Sequence, residues 1–156
     1  GREMIAAIDP GKTGAIAMLY PVDYPVDGRL FIEDMPVFDK ELNGAAIAAI
    51  FTEFTPDHVY LESVNSHLMG RQSAFNFGQG FGVIKGVLAT LAIPFTLVTP
   101  AKWKGHYNLG RDKNAAREAA TRLFPANADQ FLRKKDDGRA EAALIALWGR
   151  SQGIIR

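Results

Sequence analysis

The 156 residues include no cysteine. That absence removes disulfides, thiolate zinc sites and cysteine nucleophiles together, and it is compatible with an intracellular setting. No apolar stretch approaches the roughly 20 residues needed to span a bilayer, so no membrane partner is expected. No signal peptide is visible at the N-terminus, where Gly1 reads as a tag remnant and Met4 as nearer the natural start. There is no internal repeat, low-complexity tract or domain boundary. What is there is a chain with 47% hydrophobic residues, of a length that suggests one domain, residues 1–156, with a core needing no staples.

The net charge of +1 hides an asymmetry. Residues 1–100 carry 6 Lys/Arg and 11 Asp/Glu, whereas residues 101–156 carry 12 and 6. A basic half on a near-neutral chain is either a set of solvated helix faces or the footprint of a polyanionic partner.

Along the chain, the short apolar run Glu3–Asp9 ends at Pro10-Gly11 and reads as a buried strand closed by a turn. Gly14–Tyr20 reads as its hairpin partner, Pro21–Gly28 as a loop, and Leu30–Val37 as a third, edge strand. Asn43 is placed to cap a helix that Pro56 ends. His58–Val64 alternates and reads as a strand parallel to the first, reached through that crossover helix. Ser73–Leu91 is long, apolar and glycine-rich, with Gly78, Gly80, Gly82 and Gly86 lowering its helix propensity; it reads as loop to about Phe77 and helix beyond. Phe95–Val98 is a strand closed by Thr99-Pro100. Asp112 caps a helix over Lys113–Phe124, and a last helix covers Gly138–Arg150. Three strands followed by alternating helices and strands predict an α/β fold, a mixed sheet with helices on its faces.

Five acids stand out against this frame. Asp9 ends an almost wholly apolar strand, and Glu62 lies within another. Adjacent parallel strands bring the two together at one sheet edge. Asp136, Asp137 and Glu141 sit at the start of the last helix. Asp137 and Glu141, four apart, share a helix face, whereas Asp136 reaches the same site only through the pre-helical turn. Each acid has an ordinary use: Asp9 as a turn former before Pro, Glu62 on a solvated sheet face, Asp136 and Asp137 as caps at a positive helix end, and Glu141 at a surface. Together, carboxylates on rigid elements repel unless a cation sits between them. Hard oxygen ligands suit magnesium or manganese, and two such ions about 4 Å apart support phosphodiester hydrolysis.

With these residues in place, IDPGKTGAIA, VYLES and KKDDGRAEAALIALWG resemble the three acidic motifs of the RuvC-like Holliday-junction resolvases of the RNase H-like superfamily. VTPAKWK (Val98–Lys104) and RKKDDGRAEAALIA (Arg133–Ala146) are most similar to the phage-type and chloroplast branch. The resemblance runs from Ile5 to about Gly149. It implies an RNase H-like fold with a central mixed five-stranded sheet, and Mg2+-dependent resolution of four-way DNA junctions by paired nicks. It also implies two ions per site, with Mn2+ as a substitute, a homodimer, and no small-molecule cofactor. By position it makes Asp9, Glu62 and Glu141 metal ligands. It favours Asp136 over Asp137 as the fourth, because related sequences often carry His at the second position. In the better-known bacterial branch the last two ligands are three apart, and Gly138 stands there instead. Lys113 corresponds to a lysine near the scissile phosphate.

The segment Gly70–Gly82 matches the family region that enters the junction. Arg71, Ser73, Phe75, Asn76 and Phe77 are its candidate DNA contacts, with the aromatics suited to wedging or stacking on bases; Phe81 reads as core. Lys102, Lys104, Lys113, Arg117, Lys134 and Lys135 are candidate backbone contacts. Trp103 reads as a packing residue beside Lys104, and His106 is given no catalytic role. The glycine-rich helix is the expected face for a two-fold dimer, since two symmetric cuts need two sites. The same acids would also serve an RNase H-like nuclease for other branched DNA or RNA–DNA hybrid, or a non-catalytic junction-binding protein. IDxG also opens actin-like ATPases and sugar kinases, but those need a second domain that 156 residues do not accommodate.

Overall fold

The computed structural model describes residues 3–22 and 29–153. A five-stranded sheet forms the centre, from β1 (Ile5–Asp9), β2 (Ala15–Leu19), β3 (Leu30–Asp34), β6 (His58–Glu62) and β7 (Phe95–Val98), in the order β3-β2-β1-β6-β7. The first three strands form an antiparallel meander, while β6 and β7 run parallel to β1. The mixed sheet is thus the expected one, and most of the Pro21–Gly28 loop, residues 23–28, lies outside the described residues.

Alternation along the strands builds two cores, one on each face of the sheet. Ile5, Ala7, Ala17, Leu19 and Tyr60 face helices α4 (Lys113–Leu123) and α5 (Asp137–Gln152). Ala6, Ile8, Ile16, Met18, Val59 and Leu61 face α1 (Gly44–Phe54) and α2 (Arg71–Thr90). Helix α1 begins where Asn43 accepts from the Ala46 amide at 3.1 Å and ends at Thr55 in the left-handed region, just before Pro56. The edge strand stops at Asp34, and a short hairpin of β4 (Val37–Phe38) and β5 (Glu41–Leu42) follows. Asp39 and Lys40 turn that hairpin with positive φ.

The expected loop from Ser73 to Phe77 is instead the first part of α2, which runs unbroken from Arg71. The glycines do not break it, because a helix 20 residues long gains from propagation what each glycine costs. Thr99-Pro100 closes β7 but also opens a helix, α3 (Pro100–His106), with Pro100 in its first turn.

Helix α5 is the structural axis. Its residues from Ala142 to Ala146 are fully buried, and its glycines set its distance from the sheet. A Cβ on Gly149 would lie 2.2 Å from the Tyr60 ring, and one on Gly138 would lie 2.5 Å from the Thr13 carbonyl oxygen. Only glycine allows the N-terminal end of α5 to sit directly on the β1–β2 turn.

Candidate active site

The parallel pairing of Ile8 with Leu61 sets Asp9 beside Glu62 at the carboxyl ends of β1 and β6. Both follow the alternation of Ile5, Ala7 and Tyr60, so both face α5. The close seating of α5 on the β1–β2 turn brings Asp137 and Glu141 over them. Together with Thr13, Pro100, Lys104 and Lys113 they line an open depression of about 280 Å³.

The electrostatics of this bowl are those of crowded acids. Burial pushes the Asp9 carboxyl well above the ordinary carboxylate range; Glu141 and Glu62 push the same way, and Lys113 opposes them. Burial also raises Glu62 and Glu141. The Trp103 indole N–H counters this at Glu62, donating to Oε2 at 2.7 Å. At Glu141 the counterweights are Lys113 and Lys104. Lys113 Nζ lies 3.0 Å from Asp137 Oδ2 and 3.8 Å from Glu141 Oε2, and Lys104 Nζ lies 3.9 Å from Glu141 Oε1. Its bond to Asp137, opposed by burial, raises the Lys113 pKa, so it stays charged.

As the side chains stand, no three acidic or imidazole groups among the described residues are arranged to hold a metal ion; the lysines supply the positive charge between the acids. The donor set nonetheless fits a hard divalent cation. Four carboxylates converge on one open bowl, and no sulfur or imidazole lines it.

The structure brings together Asp9, Glu62, Glu141 and Lys113, as expected, and it places Asp137 rather than Asp136 with them. Asp136 is buried away from the bowl. Arg133 donates to its carboxylate from the backbone amide at 2.8 Å and from the guanidinium at 2.8–3.2 Å, and Arg139 lies 3.8 Å away. Burial favours the neutral form, but these donors hold Asp136 below the ordinary carboxylate range. The four-residue spacing of Asp137 and Glu141 on one helix face predicts this geometry; the family pattern points one residue too early.

The candidate DNA contacts separate into groups. Lys104 lies in the bowl itself. Lys102, Lys134 and Lys135 are exposed, as are Arg71, Ser73, Phe75 and Asn76 on the first turns of α2. Phe77 is half-buried and stacks on Phe81 with centroids 5.6 Å apart, and Phe81 packs against the core as expected. Arg117 is engaged internally. Its guanidinium donates to the Phe131 and Leu132 carbonyls and to Asn114, which pins the segment leading to Asp136. Trp103 does more than pack, since it holds Glu62. Sequence alone signals this only through the proximity of a strand end and the first turn of α3.

No family model and no curated protein matches the chain. Solved structures do. The RuvC of T. thermophilus in complex with a Holliday junction substrate matches with a TM-score of 0.65 at 19% identity, over 96% of both chains. Another Thermus thermophilus RuvC structure gives 0.67 at 18%, with the same coverage. The yeast mitochondrial Holliday junction resolvase Ydc2 gives 0.56 at 15%, over 93% of this chain and 76% of that one. The chain has the RuvC fold, an RNase H-like mixed sheet flanked by helices.

Proposed function

We propose that this chain is a divalent-metal-dependent endonuclease that resolves four-way DNA junctions. The observation that carries the reading is the convergence of Asp9, Glu62, Asp137 and Glu141, with Lys104 and Lys113, in one open bowl at the strand ends. The likeness to a RuvC bound to a Holliday junction substrate supports the choice of substrate.

In this reading Asp9, Glu62, Asp137 and Glu141 hold two magnesium ions, which supply charge neutralisation at the phosphate and a more acidic water. Asp9 is central, because it answers to both Glu62 and Glu141. Asp136 is a structural residue whose carboxylate closes the turn before α5 by accepting from Arg133, and this replaces the family-based assignment. Lys113 has a long, largely exposed stem, which lets its ammonium pair with Asp137 or reach a phosphate oxygen. Lys104 holds a second positive charge at the rim of the bowl. Lys102, Lys134, Lys135 and Arg71 are exposed and would serve as cationic contacts for the DNA backbone. The 67% exposed Phe75 offers a face for stacking on an unpaired base.

Two symmetric nicks need two such bowls, so we take the active species to be a two-fold dimer. The exposed face of α2 supports this: only Ile84 and Leu88 of its 20 residues are buried.

The test is a comparison of substrates. Purified protein with Mg2+ should nick a synthetic four-way junction at symmetric positions in opposing strands and leave linear duplex and RNA–DNA hybrid largely intact. Equal cutting of the hybrid would replace junction resolution with a broader RNase H-like nuclease.

A further inference from the structure

We propose that Trp103 is a positioning residue for Glu62, presenting one chosen carboxylate oxygen of that acid to the bowl. The inference rests on the metal-site reading above. Trp103 is fully buried, and Glu62 is 4% exposed. The indole Nε1 donates to Glu62 Oε2 at 2.7 Å, across 41 residues of sequence. Indole has a single donor and no acceptor, so this bond uses its whole polar capacity. A buried Trp needs some acceptor, and a backbone carbonyl would satisfy that need. Here the acceptor is an acid at the floor of the bowl, and a charge-assisted bond of this kind is both stronger and more directional than a neutral one.

The chain is built to deliver this contact. Glu62 pairs with Val98 at the end of β7, and the Ser63 amide donates to the Val98 carbonyl at 2.8 Å, locking the two strand ends together. Two residues later Pro100 starts α3, and Trp103 follows one turn in. Lys104, the next residue, lies over the Trp103 ring at 5.7 Å and reaches Glu141 at 3.9 Å. One short helix therefore reaches two of the four acids. Holding Oε2 from below fixes the rotation of the Glu62 carboxylate and leaves Oε1 to the bowl. Partners that orient a metal ligand typically account for 10–100-fold in metal affinity.

The experiment measures Mg2+ and Mn2+ binding by calorimetry on the wild type, Trp103→Phe and Leu88→Ala. The last truncates the core on the opposite sheet face and serves as the control for a purely structural loss. Trp103→Phe should weaken metal binding by at least about 10-fold. It should also raise the metal concentration needed for half-maximal cleavage, with a smaller effect on the rate at saturating metal. Leu88→Ala should lower the melting temperature without moving metal affinity. A second measurement does not depend on Trp103→Phe folding. In Trp148→Phe, Trp103 is the only tryptophan, and its emission should shift on Mg2+ titration with the midpoint found by calorimetry. Unchanged affinity in Trp103→Phe, or emission indifferent to Mg2+, would overturn the positioning role while leaving the metal site standing. A wild type that binds neither ion would overturn both.

Discussion

Replacing Asp9 by Asn should stabilise the protein in the absence of divalent metal. Asp9 ionises in a place that disfavours its charge: burial is the largest cause, Glu141 and Glu62 add to it, and Lys113 offsets only part. Its folded-state pKa therefore lies above its unfolded one. Between the two values the folded chain holds more protons, so stability falls as pH rises through that window. Above that window the wild type bears the full cost of the ionised carboxylate, whereas Asn keeps the shape and removes the charge. A buried charge without a full partner costs roughly 1–3 kcal/mol or more; the bowl is open to water, which screens part of this, so the lower half of that range is expected. For a chain of this size each kcal/mol moves the melting temperature by about 2–4 °C, which gives a rise of about 2–8 °C. The assay is calorimetric melting in chelator at pH 8 and again below pH 4. The gain should be larger at pH 8 and vanish at the acid end, where both side chains are neutral. An Asp9→Asn protein less stable than wild type at pH 8 would refute the reasoning and return Asp9 to its role as a turn former.

Metal should reverse that ranking. Mg2+ at about 100 times its dissociation constant should stabilise the wild type by about 2.7 kcal/mol, and melting of Asp9→Asn should barely respond. Asp136→Asn and Asp137→Asn should part company. The first loses the charge-assisted bonds from Arg133, costing roughly 1.5–3 kcal/mol, and retains metal binding. That cost should fade as pH falls through the depressed pKa of Asp136. Asp137→Asn should keep its stability and lose metal affinity and cleavage, measured by calorimetry and gel assay. Gly138→Ala should destabilise by roughly 1–3 kcal/mol, despite the better helix propensity of Ala, because its Cβ would meet the Thr13 carbonyl; a denaturant melt checks it.

Much of this molecule was legible in its sequence because the signals were local. The apolar run ending at Asp9, the Asn43 and Asp112 caps and the stop at Pro56 report the β1, α1 and α4 boundaries directly. Asp9, Glu62 and Glu141 each have an ordinary use alone, and they stand out in the sequence through their co-occurrence on two strand ends and a helix start. What escaped depends on three-dimensional competition. Gly78, Gly80, Gly82 and Gly86 argued for a loop, but they are tolerated inside a long helix. For Asp136 and Asp137 the helical spacing and the family pattern point to different residues, and the bonds from Arg133 sequester the first while the second faces the bowl. Trp103 looked like packing because nothing local reveals that the first turn of α3 passes beneath the end of β6.

The account stands or falls on the acids as metal-dependent catalysts for a DNA junction. The direct measurement is cleavage of a four-way junction in Mg2+ by wild type, Asp9→Asn and Glu62→Gln, with junction binding followed in parallel. The prediction is paired nicks by the wild type, a loss of at least about 100-fold in both variants, as for groups acting on the transition state, and binding retained in all three. Wild-type cleavage rates in either variant, or no cleavage by the wild type itself, would contradict it.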